Sequence, residues 1–521
     1  MRTFGRCLPG VEAVMNASDR CVLGVDLGTG SLKCVLLDES GVLRASAERS
    51  YPTHSPASGW AEQDPRDWLQ ALRGALGELR QTAPGLMARI QAVGLCSAAH
   101  IPVLLDDDGR VLRPAILWSD QRSGEQVERL RETLGGTLQE LTLNEPGCTW
   151  TLPQLQWIGQ HEPDVLPRTR TFLSSKDYLS FCLTGVPRMD HGAAAATLMW
   201  DAARRSWAPE LVRLSGLPDS ALPELAAPLE VVGRVSSRAA TGFGLTEGIP
   251  VIAGTLDSAA ELIGCGLLLH GDGGMVRVGT AGGIMAVMQR PQWSPGVITY
   301  PHPVGGAFYQ QAGTNACAAS LRWLRDLGRS LRGSEERALD YEEMDRLAHA
   351  CEPGAEGLLF HPYLQGERAP YWNPSLRGAF TGLDLRHGWP HMVRAVMEGV
   401  AFSLRDCLDM FRGSGAELRS AVMSGGVTRS AVWSQIITDV LELETCTVRN
   451  GDSALGAAML AGVAAGMFSS VENAVQVSVV RERRLVPDRS LHTRHGESFR
   501  RYQEVGQFLN RLHDPRQTHP D

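Results

Sequence analysis

The chain is 521 residues long, 43% hydrophobic and 21% charged, and its 50 basic against 58 acidic side chains leave a formal net charge of −8. That length accommodates roughly two to four domains of ~150 residues, the ordinary apolar fraction excludes intrinsic disorder, and the acidic balance argues against nucleic acid or an anionic membrane as the main partner, because both select basic surfaces. The 11 cysteines are scattered without a C-x-x-C pair, which speaks against a zinc or thioredoxin-type motif and fits small buried hydrophobes in a reducing cytoplasm.

Residues 1–20 are interrupted by Gly5, Pro9, Gly10 and Glu12. They hold no continuous apolar run and read as an N-terminal extension, with Met15 as a second start. Cys21 to Asp26 (CVLGVD), the turn LGTGS and Leu32 to Asp38 (LKCVLLD) predict a strand–glycine turn–strand hairpin, followed by a third strand over Val42 to Glu48. Trp60 to Arg80 carries apolar residues at helical spacing, opened by Asp64-Pro65 as cap and first-turn proline. Ile90 to Ser97 predicts a buried strand with His100 just past its end, and Ile116 to Trp118 a strand end leading into a helix start at Ser119-Asp120-Gln121-Arg122. Val251 to Thr255 predicts another strand, ended by Leu256-Asp257-Ser258 ahead of a small-residue helix.

The opening pattern then returns. Gly274 to Val278, the turn Gly279-Thr280-Ala281-Gly282-Gly283 and Ile284 to Met288 read as a second strand–glycine turn–strand, so MVRVGTAGGIMAVM looks like a degenerate copy of VLGVDLGTGSLKCVLL. Two such hairpins predict a duplicated α/β architecture, with the glycine turns facing one another across a cleft. Ala421 to Met423 is strand-like, and Ser424-Gly425-Gly426-Val427 turns into a helix near Arg429-Ser430 with Val432, Trp433, Ile436, Ile437 and Val440 at helical period. Ala454 to Phe468 is too short and too rich in Ala and Gly to span a bilayer, and reads as a closely packed helix. A frayed tail is expected at 513–521.

Lysine occurs only at Lys33 and Lys176. Neither stands in Gly-Lys-Ser/Thr or V-A-I-K, and H-R-D, H-E-x-x-H and G-x-S-x-G are missing, so P-loop, protein-kinase, zincin and serine-hydrolase chemistry are excluded. What remains is a set of acids and glycine turns at strand ends. Phosphoryl transfer needs a carboxylate for Mg²⁺ and backbone donors around the phosphates, which Asp26 with Gly28, Thr29 and Gly30 could supply; read alone, they also fit an ordinary tight hairpin. Gly279 and Thr280 could grip a phosphate in the same way, and Gly425 and Gly426 could serve phosphate or ribose oxygens. Asp257 stands where it could take a proton from a hydroxyl or simply cap a helix.

These stretches also carry a resemblance. GVDLGTGSLK, GWAEQDP, RPAILWSDQR, SKDYLSFCLTG, AGTLDSAAE, VGTAGG, PYLQGERAPYWNPSLRGAFTGL and SGGVTRS resemble the FGGY family of carbohydrate kinases over Cys21 to Leu512. A family signature is matched by Gly378, Phe380, Gly382, Leu383, His391, Met392, Ala395, Val396, Met397 and Glu398. The resemblance implies duplicated actin-like (ribonuclease-H-like) ATPase domains with a cleft between them, a sugar side over 21–268 and a nucleotide side over 269–512. It implies ATP and Mg²⁺, with Asp257 as catalytic base and Asp26 as the metal- and phosphate-handling acid. Gly28, Thr29, Gly30, Lys33, Gly279 and Thr280 are implied around the phosphates, and Gly425, Gly426 and Ser430 beside the nucleotide. Ala99, His100, Asp120, Asp257 and Ser258 are implied around the sugar.

The blocks are most similar to members acting on D-xylulose. Ala99, Ser258 and Gln154 stand where methionine, asparagine and lysine are usual, and the first two imply a wider pocket or altered hydrogen bonding. Other ketoses or polyols, and a silent sugar- and ATP-binding regulator, are the alternatives. The expected partners are a small sugar and ATP, with no nucleic acid and no membrane, in a cytoplasmic protein for which a homodimer is entertained.

Overall fold

The computed structural model describes residues 20–271, 273–332, 339–413 and 418–514. Apart from Arg20, His513 and Asp514, the extension expected at 1–20 (Met15 included) and the tail expected at 513–521 lie outside the described residues.

Continuous apolar runs make the central strands. β1 (Cys21–Leu27) is buried along its length except at Asp26, the pattern of a strand covered on both faces. β2 (Ser31–Asp38) pairs antiparallel with β1, and β3 (Leu43–Ser50) antiparallel with β2. β4 (Ile90–Ser97) lies parallel to β1, and β5 (Pro250–Ile252) parallel to β4. α1 (Pro65–Thr82) is capped by Asp64, whose side chain accepts from the Arg66 amide, and it buries Trp68, Ala71, Leu72, Ala75, Leu76 and Leu79 along one stripe.

The second sheet repeats this plan. β6 (Gly274–Val278) and β7 (Gly282–Met288) form the second hairpin, and β8 (Phe308–Thr314) pairs antiparallel with β7. β9 (Ser420–Gly425) lies parallel to β6, and β10 (Glu444–Arg449) parallel to β9. The orders β3-β2-β1-β4-β5 and β8-β7-β6-β9-β10 match strand for strand in sequence and in orientation. The duplication read from the two hairpins is the architecture of the molecule.

Helices fill the space between and around the sheets: α2 (Asp257–Gly264), α3 (Trp389–Gly413), α4 (Ala431–Leu441) and α5 (Ser453–Ala464). α2 and α5 cross in backbone contact. A Cβ on Gly456 would lie 1.8 Å from the Ala260 carbonyl, and one on Gly264 would lie 2.4 Å from that of Asp452. α5 follows β10 of the second sheet in sequence but rests on the first, its Ala454, Leu455, Ala458, Met459 and Ala461 sharing a buried cluster with Val22, Val35, Leu37 and Ala92. α2 reciprocates, with Ala259, Leu262 and Cys265 clustered with Met275, Met285, Val422 and Val448.

Some boundaries differ from expectation for local reasons. The helix expected at Ser119–Arg122 begins at Gly124, because the Asp120 carboxylate holds the Ala61 and Arg122 amides in a turn. The strand expected over Val251–Thr255 breaks after Ile252. There the Ala253 and Gly254 amides go to Glu230 and Pro228, and Lys176 Nζ takes the Ala253 carbonyl at 3.0 Å. Gly425-Gly426 leads into a 3₁₀ turn over Gly426–Arg429, and α4 then starts at Ala431, close to the start expected near Arg429-Ser430. Among the described residues the cysteines are free, and no helix is long and apolar enough to cross a membrane.

Candidate active site

Three carboxylates bear on one another's charge where the two copies face each other. Asp26 ends the buried run of β1, Asp257 is the first residue of α2, and Asp452 precedes α5 and caps it by accepting the Leu455 amide at 3.0 Å. Asp26 and Asp257 keep some surface open to solvent, yet enough protein surrounds them that desolvation leads the influences on both. Burial, then the charges of Asp257 and Asp452, push Asp26 up to about 8. Asp257 is also raised by burial, against the opposing pull of Arg277 and of the Ser258 amide, which donates to its Oδ1 at 2.7 Å. The Cys96 thiol donates to Asp26 Oδ1 at 3.5 Å. The charge of Asp257 thus reaches Asp26.

Cations come from both copies. Lys33 sits opposite Asp26 in the β1–β2 ladder and forms an ion pair with Asp452, linking the first hairpin to the start of α5. Arg277 of β6 lies with its Nε 3.2 Å from Glu261 Oε2, while Ser424 Oγ donates to Glu261 Oε1 at 2.8 Å. Glu261, Asp257 and Asp26, in that order, hold the guanidinium charge in place.

The glycine turns stand open at the carboxyl ends of the central strands. Gly30, Thr280, Gly425 and Gly426 are exposed, and Gly28, Thr29 and Gly279 half-buried. The Thr29 hydroxyl accepts from Trp118 Nε1 at 3.0 Å, and its carbonyl accepts from Gln63 Nε2 at 2.7 Å, so the first turn is braced from outside. The carbonyls of Gly279 and Thr280 hold the amides of Ala318 and Cys317 at 2.9 and 3.0 Å. Gly425 has φ 86°, and a Cβ there would lie 2.4 Å from the Val278 carbonyl, so the turn needs glycine twice over. Ser430 stands at the start of α4. Its hydroxyl donates to Asp345 at 2.7 Å and accepts the Trp433 amide at 3.0 Å, which commits it to capping α4.

On the sugar side, His100 lies in the left-handed region at φ 64°. Its Nδ1–H donates to the Ala196 carbonyl at 2.7 Å, which leaves Nε2 to accept from the Tyr300 hydroxyl at 2.6 Å. Burial lowers its pKa to about 4. Ser258 Oγ bonds the Tyr309 hydroxyl at 2.7 Å. Ala99 is half-buried beside them. Asp120, expected at the sugar, has both oxygens engaged. Oδ1 accepts from the Arg122 amide and Nε, and Oδ2 from the Ala61 amide at 2.6 Å and a terminal Arg122 nitrogen at 2.8 Å. Arg122 in turn bonds Glu62 at 2.7 Å and stacks 3.7 Å over the Trp60 ring, so the contacts of Asp120 are those of a buried structural ion pair.

Family models for the N-terminal and C-terminal domains of the FGGY carbohydrate kinases match residues 21–264 and 274–465. The chain belongs to the FGGY family of carbohydrate kinases. It is 33% identical over 458 residues to the xylulose kinase of Bacillus subtilis (strain 168), covering 87% of this chain and 90% of that one. It is 29% identical over 464 residues to the gluconokinase of the same organism, covering 87% and 89%. The solved structure of xylulose kinase from Rhodospirillum rubrum matches with a TM-score of 0.85 at 31% identity, over 95% of this chain and 99% of that one. FGGY carbohydrate kinases use ATP, and this chain is one of them.

Reading the FGGY sequence alone passed over Arg277, Glu261, Asp452, Tyr300 and Tyr309. For two of them a signal was present. Asp452-Ser453-Ala454 repeats Asp257-Ser258-Ala259, and Arg277 occupies the place of Asp26 when the two glycine turns are aligned. The tyrosines lie on Ile298–Pro301 and β8, where nothing in the pattern marks them.

Proposed function

We propose that this kinase transfers the γ-phosphoryl group of ATP to the terminal hydroxyl of D-xylulose, with Asp257 as general base and Asp26 as the acid on the metal and phosphate side. The observation that carries the reading is the convergence of Asp26 and Asp257 between two open glycine turns. The choice of sugar is supported by the relatives named xylulose kinase that match along most of their length. The ketose lies on the side built by 21–268, near His100 and Ser258, whose polar atoms it shares with Tyr300 and Tyr309. The nucleotide lies on the side built by 269–512, its phosphates between the turns at Gly28–Gly30 and Gly279–Thr280 and its adenosine near Gly425-Gly426.

The donor set suits a hard cation. Burial and two neighbouring acids oppose the ionisation of Asp26, an opposition that a bound cation would relieve, and Mg²⁺ is usually held by one or two carboxylates together with substrate phosphates. When bound, the ion neutralises charge on the β- and γ-phosphates. Asp257 accepts the hydroxyl proton as the sugar oxygen attacks, and burial makes it a stronger base than an ordinary carboxylate. Closure of the cleft excludes water as a competing acceptor.

The test is ADP release with a panel of D-xylulose, D-ribulose, sedoheptulose, glycerol and gluconate, the last because a gluconokinase is among the relatives. D-Xylulose is expected to give the highest kcat/KM. The acid limb of its pH profile should lie above the usual carboxylate range of about 4, and Asp257→Asn should lose about 10²–10⁴-fold in kcat. Near wild-type turnover by Asp257→Asn would remove the base, and no sugar-dependent ADP from any acceptor would favour a silent binder.

A further inference from the structure

Arg277 has no role in the scheme above, yet the fold sets it opposite the reacting groups. In the first copy, Asp26 of β1 pairs with Lys33 on β2 and Cys96 on β4. In the second copy, Arg277 of β6 pairs with Gly283 on β7 and Ser424 on β9. Each residue stands two positions before the Gly-Thr of its turn. The duplication therefore presents a carboxylate from one side of the cleft and a guanidinium from the other. The Arg277 side chain keeps 40% of its surface open, so a ligand between the turns can reach it. Among the described residues, its closest ion-pair approach is the 3.2 Å from Nε to Glu261. That carboxylate oxygen takes no hydrogen bond in the structure, so the two groups lie side by side without the bidentate clamp that would use up an arginine.

Charge balance points the same way. Asp26, Asp257, Glu261 and Asp452 all bear on this cleft, and Lys33 is already paired with Asp452. A triphosphate brought into such surroundings meets repulsion, and the transferring phosphoryl group carries charge on its equatorial oxygens that arginine is suited to stabilise. We propose that Arg277 is a catalytic residue of the phosphoryl transfer, its guanidinium contacting the γ-phosphoryl oxygens from the β6 side of the cleft. In the step, the bond from the β–γ bridging oxygen to phosphorus breaks and the bond from the sugar oxygen to phosphorus forms. The sugar proton goes to Asp257, ADP leaves with the bridging electron pair, and Arg277 stays protonated throughout. The assignment rests on the cleft placement of Asp26 and Asp257 proposed above and on the family's use of ATP, but not on which sugar is the acceptor.

The alternative is that Arg277 merely neutralises Glu261, and a charge-balanced pair of substitutions separates the two. Arg277→Gln, Arg277→Lys, Glu261→Gln and the double variant Arg277→Gln/Glu261→Gln are assayed with D-xylulose and MgATP. ATP hydrolysis without sugar is measured in parallel. Arg277→Gln is expected to lower kcat by about 10²–10³-fold with KM for D-xylulose changed less than about threefold, and Arg277→Lys to recover part of the loss. The double variant, which leaves no unpaired buried charge and so keeps the fold, is expected to remain as slow as Arg277→Gln. Recovery of the double variant to within about tenfold of wild type would overturn the proposal, as would an unchanged kcat in Arg277→Gln. If the wild-type protein ignores D-xylulose, the sugar reading fails alone, and the hydrolysis rates still report on Arg277.

Discussion

A histidine buried neutral leaves a pH signature of its own. His100 titrates near 4 in the folded protein against 6.5 for an exposed histidine. Between those values the unfolded chain binds the proton more readily, so the stability His100 contributes is complete above about 6.5 and is lost as pH falls toward 4. By linkage the loss at pH 5 is on the order of 2 kcal/mol. Asparagine tolerates positive φ, so His100→Asn should fold and show a flatter fall in urea midpoint between pH 7 and pH 5 than the wild type. Equal slopes would mean that the ring is not buried as a neutral donor to Ala196 and acceptor from Tyr300. At this scale residue chemistry was only partly legible. Asp26 and Asp257 stand out by their place at strand ends together with the family resemblance, since each read alone also fits a turn or a helix cap. Asp120 and Ser430 belong to types that cap turns and helices as readily as they bind ligands, and the sequence does not show their structural partners, Ala61 and Arg122 for one and Asp345 and Trp433 for the other. Asp452 pairs with Lys33, 419 positions away in the chain, and Arg277 lies beside Glu261; the internal repeat marks both positions but does not mark these partners.

Helix crossings set a stricter rule than helix propensity. Replacing a helical glycine by alanine gains about 1 kcal/mol where space allows. In α1, a Cβ on Gly77 would meet nothing nearer than the end of Arg80 at 3.9 Å, so Gly77→Ala should raise the melting temperature slightly. In α5, the same change at Gly456 drives a methyl to 1.8 Å from a backbone carbonyl that cannot swing aside. Gly456→Ala should therefore destabilise by about 2–4 kcal/mol despite the better propensity, measured as a lowered melting temperature and reduced soluble yield. The central strands and α1 could be read from sequence because burial on both faces, or on one helical stripe, imprints directly on residue order. The 3₁₀ turn after Gly426 and the break at Ala253-Gly254 could not, since they follow from where backbone groups find distant partners, Glu230, Pro228 and Lys176 among them.

At the scale of the whole molecule, the duplication was visible as two glycine hairpins, but the way the copies interlock was not. Sequence order assigns α5 to the second half, whereas its apolar face completes the core beneath the first sheet. α2 stands in the converse relation to the second sheet. Neither half holds a finished interior. Residues 20–268 produced alone would leave Val22, Val35, Leu37 and Ala92 uncovered and should bind a hydrophobic dye and lack a sharp melting transition. The intact chain should instead give a single calorimetric endotherm, and two resolved endotherms would contradict the interlock. A protease nick in the loop before α5 would then do more than trim one lobe: by unlacing α5 from the first sheet it would dismantle the seat of Asp26, more than 400 positions upstream in the chain.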